Sequence, residues 1–102
     1  MNTLMLLKHI EKRIVVPQYF KSEDEAIHWW ARLPSSDEWE VIYLNEREPS
    51  GHRYELAYAK LDEQGVLYSK YIICFSQKEA LYLKNKIERV NQNYVIQIKK
   101  LY

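Results

Sequence analysis

The sequence has little glycine, proline or cysteine and no long apolar run, the features that would mark a flexible, disulfide-stapled or membrane-spanning chain. Its 102 residues include two glycines and three prolines, which argues against flexible linkers and low-complexity tracts. Gly51 and Gly65 are isolated, so no glycine-rich phosphate loop is present. Cys74 is the single cysteine, which rules out an internal disulfide and a thiolate zinc site within one chain. A chain without disulfides fits a reducing, cytoplasmic setting. The opening stretch, MNTLMLLKHIEKR, has an apolar run of four residues with its basic residues after it. It makes a poor secretory signal and is too short to span a bilayer. Net charge is scarce too: the total is +1, so no global field draws nucleic acid or a membrane.

The residues present describe a globular chain. The length suits one domain over 1–102 with a modest core. Apolar residues make up 47% and charged residues 28%, both ordinary for such a domain. Aromatics are in excess at 14%, with nine Tyr and three Trp. The charges are segregated along the chain. Residues 1–21 hold four basic and one acidic side chain, residues 22–48 two and eight, and residues 49–102 nine and five.

Two stretches announce helices in the same way. In YFKSEDEAIHWW, Ser22 and Glu25 have the spacing of a capping box, and Glu23, Asp24 and Glu25 set negative charge on the positive end of the helix dipole. Ala26, Ile27, Trp30 and Leu33 then fall on one face, with His28 and Arg32 opposite, until Pro34 ends the run. The spacing predicts a helix over 23–33. In CFSQKEALYLKN, Ser76 and Glu79 repeat the box, and Ala80, Leu83, Ile87 and Val90 form the inward stripe of a helix over 77–91.

Strand signals surround both. They cover 13–20 (with Pro17 marking an edge or bulge), 39–45, 53–61, 66–75 and 94–102. DEQG between the third and fourth reads as a hairpin turn. Residues 3–9 read as a strand or a short amphipathic helix, with the strand preferred. EPSG at 48–51 is the most loop-like segment and marks a half-boundary. The order is then ββαβ twice, with pseudo-repeat halves 1–48 and 55–102. An ungapped offset of 54 matches Leu7 with Leu61, Ser22 with Ser76, Glu25 with Glu79, Ala26 with Ala80, Val41 with Val95 and Ile42 with Ile96. Cap chemistry is generic, so the repeated spacing says more than the identities. The expected fold is α+β: an antiparallel or mixed sheet of five or six strands with two helices on one face, either ferredoxin-like or two pseudo-repeated ββαβ units. Such an element order carries no function by itself.

The chemistry is fragmentary. His9, His28 and His52 are scattered, and Glu25 with His28 is a lone Glu-x-x-His, whereas di-iron sites use that spacing twice with further carboxylates. Cys74, inside YIICF, reads as a buried strand residue rather than a reactive thiol. No catalytic residue, metal ligand or cofactor is assigned, and a small enzyme with a site such as His52 in SGHR is the third reading. The preferred reading is a small non-catalytic protein-binding or regulatory module, an inhibitor by occlusion among the options, acting on a macromolecular partner. Its acidic surface would use Glu23, Asp24, Asp37, Glu38, Glu40, Glu46 and Glu48, beside Glu25. Its aromatic surface would use Trp29, Trp39, Tyr43 and Tyr58, with Trp39, Val41 and Tyr43 on the face away from Ile42 and Leu44. The alternative is single-stranded nucleic acid held by Lys78, Tyr82, Lys86, Arg89, Lys99 and Lys100. A homodimer is compatible with each reading, and no membrane partner is expected.

Overall fold

The protein was analysed as a computed structural model, which describes residues 2–102. The elements follow the order β1 (Thr3–His9), β2 (Val15–Phe20), α1 (Glu23–Ala31), a short 3₁₀ turn (Ser36–Glu38), β3 (Trp39–Glu46), β4 (Tyr54–Asp62), β5 (Gly65–Cys74), α2 (Gln77–Glu88) and β6 (Tyr94–Lys100). Residues 3–9 are thus a strand. Contacts within the chain fall into two units, one reaching to Glu48 and one from Pro49 to Tyr102.

Each unit is a three-stranded antiparallel sheet with one helix. The strand orders are β2-β1-β3 and β5-β4-β6. This corrects the expectation of one five- or six-stranded sheet with both helices on a single face. No ferredoxin-like sheet forms either. The edges of the first sheet resist extension: Pro17 in β2 has no N–H to offer, and β3 is kinked where its register slips between Leu6 and Leu7 of β1. Within each unit the outer strands are both antiparallel to the central one, so they run parallel to each other with the first strand between them. The helix packs against all three strands and links the outer two.

In the first unit Met5, Leu7, Phe20 and Ala26 form the core under α1, with Trp29, Trp30, Trp39, Val41 and Leu44 packed around them. The register explains one misplacement. Met5 faces Leu44 and Leu6 faces Tyr43, but Leu7 faces Val41, so Ile42 is the extra residue of a bulge. The bulge flips the alternation, and Trp39 and Val41 turn inward with Leu44 instead of outward with Tyr43. On α1, Ile27 is exposed and Trp29 takes its place on the inner face, because residues three and four beyond Ala26 share that face.

In the second unit the inner face carries Leu56, Tyr58, Ile72, Cys74 and Tyr94, covered by Ala80, Leu83 and Ile87 of α2 and by Val90 beyond it. Tyr58 and Tyr94 meet edge to face with ring centres 5.8 Å apart. The β4–β5 turn is tight. Asp62 faces Gly65, the Asp62 Oδ1 accepts from the Gln64 N–H at 2.8 Å, and Gly65 takes a φ of 119° that side chains disfavour.

The ladders also re-align the internal repeat. Thr3 faces Phe20 and Glu46, whereas Tyr54 faces Cys74 and Lys100. The first strands therefore match at an offset of 51, and the strands after them at 54. The second hairpin is three residues longer. Leu7 corresponds to Tyr58, both buried on the helix side, and not to Leu61 as the ungapped match had it.

Candidate interaction surfaces

Alternation on the second sheet separates two very different faces. The tyrosines Tyr54, Tyr58, Tyr68 and Tyr94 all lie on the helix side. Tyr58 is 2% exposed, so it offers no surface to a partner. Burial, and after it the neighbouring Tyr94, pushes the Tyr68 hydroxyl from its ordinary 10.0 up to about 12. That hydroxyl is buried without a hydrogen-bond partner. Lys60 sits between Tyr68 and Tyr94 in the same row and is itself buried.

The opposite face is the one that α2 does not cover. Its rows are Leu61–Val66, then Ser69–Ala59–Val95, then Tyr71–Ala57–Gln97, then Ile73–Glu55–Lys99. Val66, Tyr71 and Val95 are 65%, 59% and 57% exposed. The small residues Ala57, Ala59 and Ser69 leave a shallow trough between them, bordered by Val95 and Gln97. The result is an apolar strip with a polar end at Glu55, Gln97 and Lys99. The sequence reading sought this surface among Trp39, Tyr43 and Tyr58. It missed Val66 and Val95; the alternation of Val95 with Tyr94 and Ile96, and the pairing of Val66 with Leu61, could have exposed them once the sheet partners were known.

The first unit places its aromatic candidates differently. Trp39 packs on the core and meets the His9 ring edge-on at 4.9 Å. Trp29 packs on Phe20, with ring centres 5.4 Å apart, and its outer edge borders a shallow cleft with His28, Arg32 and Pro34. Tyr43 lies on the face away from α1, partly exposed.

The acidic residues do not form one surface; they divide between the two ends of the first sheet. Seven residues of β1 separate these ends, a span of about 20 Å at the rise of a strand. At the Thr3 end stand Glu46, facing Thr3, and Glu48, just beyond the Arg47 N–H that donates to the Asn2 carbonyl at 3.0 Å. The start of α1 joins them, because Phe20 also faces Thr3 and leads into Glu23, Asp24 and Glu25. At the His9 end the Ile10 N–H donates to the Glu38 carbonyl, and Ile10, Glu11, Asp37 and Glu38 line a shallow hollow with His9. Here the charge is offset. Lys8 pairs with Glu40 at 3.0 Å, and Lys12 and Arg13 are in the adjoining turn. The excess of acid is at the Thr3 end, where the basic side chains among the described residues of this unit are Lys21 and the buried Arg47. Arg47 was not singled out from the sequence. Its Nε and N–H both donate to the Asn2 carbonyl, and its guanidinium lies 5.9 Å from the Tyr19 ring, so it pins β3 to the start of the chain.

The basic candidates separate too. Lys78, Tyr82, Lys86 and Arg89 follow the outer side of α2, with the Lys86 Nζ 5.8 Å from the Tyr82 ring centre. Lys99 lies on the open sheet face and Lys100 on the helix side, opposite Tyr54. Fragments of reactive chemistry stay apart. Cys74 is fully buried, the His28 ring shares a hydrogen bond with the Asp24 carbonyl at 2.8 Å, and His52 is in the loop before β4. Among the described residues no group of three His, Cys, Asp or Glu side chains is placed to hold a metal ion, and no helix is long and apolar enough to cross a membrane. Compared with known proteins, the chain matches no family model, no curated protein and no solved structure.

Proposed function

We propose that the chain is a non-catalytic docking protein that acts by covering a surface of a partner protein with the open face of the β4–β5–β6 sheet. One observation carries this reading. Val66, Tyr71 and Val95 expose more than half their surface along one sheet face whose centre is lined by Ala57, Ala59 and Ser69. Contiguous apolar surface of this kind is disfavoured in water unless a partner covers it. Small central residues with larger ones at the rim admit a helix or a second sheet closely. The acid-rich end of the first unit, around Glu23, Asp24, Glu46 and Glu48, suits a partner with basic residues and would steer the encounter.

The test is affinity capture from the native host, with and without nuclease, comparing the wild type with Val95→Asp and Tyr71→Asp. A nuclease-resistant protein retained by the wild type and lost by both variants is the expected result. Equal retention by the folded variants would overturn the sheet-face assignment. Light scattering over a concentration series shows whether the partner is a second copy.

A second reading, single-stranded nucleic acid, has one observation in its favour: Tyr82 is 52% exposed on α2 with Lys86 over its ring. It predicts binding that weakens steeply with salt, and binding that Tyr82→Ala reduces. A gel-shift titration at low salt showing no complex would remove it.

A further inference from the structure

We propose that the outer edge of β5 is a strand-acceptor site, which takes an extended acidic segment of a partner protein as a fourth strand of the second sheet. The two units supply an internal comparison. β2 and β5 hold the same place, each an edge strand paired with the first strand of its own unit. Pro17 faces Leu6 and Tyr71 faces Ala57. Since Leu6 and Ala57 correspond in the two ladders, Pro17 and Tyr71 occupy one structural position.

That position is decisive for strand addition. A proline within a sheet sits where its nitrogen points away from the ladder. Pro17 therefore closes the outer side of β2, and at Tyr71 the same backbone site turns an N–H outward. Alternation gives Ser69 the same direction. Among the described residues no strand pairs on the outer side of β5.

The other edges are guarded as edges usually are. β3 is bulged and carries Glu40 and Glu46, and β6 ends in Lys99 and Lys100. β5 is the longest strand at ten residues, against six in β2, and contains no proline; its own bulge, at Leu67, lies at the hairpin end, and from Tyr68 to Cys74 its pairing with β4 runs without a break. Val66, Leu67 and Tyr71 are exposed along it and would cover the side chains of an added strand.

Charge selects the occupant. Lys70 is the sole charged side chain of β5, and residues 49–102 carry nine basic and five acidic groups. A second copy pairing edge to edge would set two such units against each other, so an acidic segment is favoured. Asp62 and Glu63 lie at the hairpin end, which puts the partner's acidic residues at mid-strand, beside Lys70.

This inference rests on the docking reading only in taking the partner to be a protein; it uses the backbone edge of β5, shares Val66 and Tyr71 with the sheet face, and does not involve Val95 on β6. The probes are fluorescein-labelled peptides as long as β5. One alternates Glu and Val, one alternates Lys and Val, and one is the Glu-Val peptide N-methylated at alternate residues to remove its edge-facing donors. Each is titrated into the full chain by fluorescence anisotropy, with amide exchange read at Ser69 and Tyr71. The Glu-Val peptide is expected to bind and slow exchange at both amides, with the other two peptides weaker by about tenfold or more. Tyr71→Pro should weaken binding similarly, whereas Val95→Asp should leave it unchanged, so this site and the sheet-face reading fail separately. No Glu-Val binding, equal binding of the N-methylated or Lys-Val peptide, or undiminished binding to folded Tyr71→Pro would overturn the proposal. So would a concentration-dependent dimer abolished by Tyr71→Pro, which would give the edge to a second copy. The N-methylated peptide decides the matter if Tyr71→Pro fails to fold.

Discussion

A single hydroxyl shows how a residue can be at odds with its surroundings. Tyr68 sits on the helix side of β5 with its hydroxyl buried and unpartnered. Burial first, and Tyr94 second, keep it protonated to about 12. The folded state thus holds this proton through a range in which the unfolded chain has lost it. Stability from the neutral hydroxyl is fully present below pH 10.0, and is lost as pH rises from there through about 12. Tyr68→Phe should remove that alkaline loss. At neutral pH it should be neutral or stabilising by up to about 1 kcal/mol, because it deletes a buried polar atom that makes no bond. Urea titrations at several pH values, with phenolate absorbance, check both parts. A marked destabilisation at neutral pH would mean that the hydroxyl has a partner. Nothing in the local sequence VLYSKY foretold this. Burial of the Tyr68 oxygen depends on its cross-strand neighbours in the same row, Lys60 and Tyr94.

At the scale of elements, local chemistry was the most legible. Both helices begin where their serines said. The Ser22 Oγ accepts from the Glu25 N–H at 3.1 Å, and the Ser76 Oγ accepts from the Glu79 N–H at 3.0 Å. The boxes are not equal. The Glu79 Oε1 accepts from the Phe75 N–H at 2.9 Å, one residue ahead of the cap, while in α1 the serine half alone is made. We expect Ser76→Ala to cost about 1 kcal/mol and Ser22→Ala less, read as shifts in the urea midpoint at constant slope. A larger loss from Ser22→Ala would reverse this ranking. The inward stripe of α2 was equally legible, because Ala80, Leu83, Ile87 and Val90 keep helical spacing and all are buried. In α1 the stripe was misread at Ile27, since a helix of nine residues with two adjacent tryptophans satisfies more than one choice of inner face. The bulge at Ile42 was invisible because it is defined by the register against β1, and no residue type marks it.

For the molecule as a whole, near-zero charge and exposed apolar surface act together. The isoelectric point is about 7.8, and eight of the exposed large hydrophobics, Val66 to Tyr102, lie in the second unit. Repulsion between copies should be weakest near that pH. Static light scattering should therefore show the lowest second virial coefficient there, and Val95→Asp should raise it. A minimum at another pH, or no effect of Val95→Asp, would show that other surfaces control association.

What the sequence determined was local: caps, turn residues, helical stripes, strand segments in ββαβ order twice, and the segregation of charge along the chain. These follow from interactions among residues a few positions apart, and a reader of the chain can count them. The tertiary structure decided what depends on pairing across distance. It divided the strands into two sheets of three, inserted the bulge that turned Trp39 inward, and buried Tyr58 while leaving Tyr71 and Val95 in the open. It also sent the acidic residues to opposite ends of one sheet, and revealed Pro17 and Tyr71 as the same position in two ladders. The physical reason is the period of two in a strand: one residue of register reverses every side chain beyond it, and register is fixed by partners that lie far away in the chain.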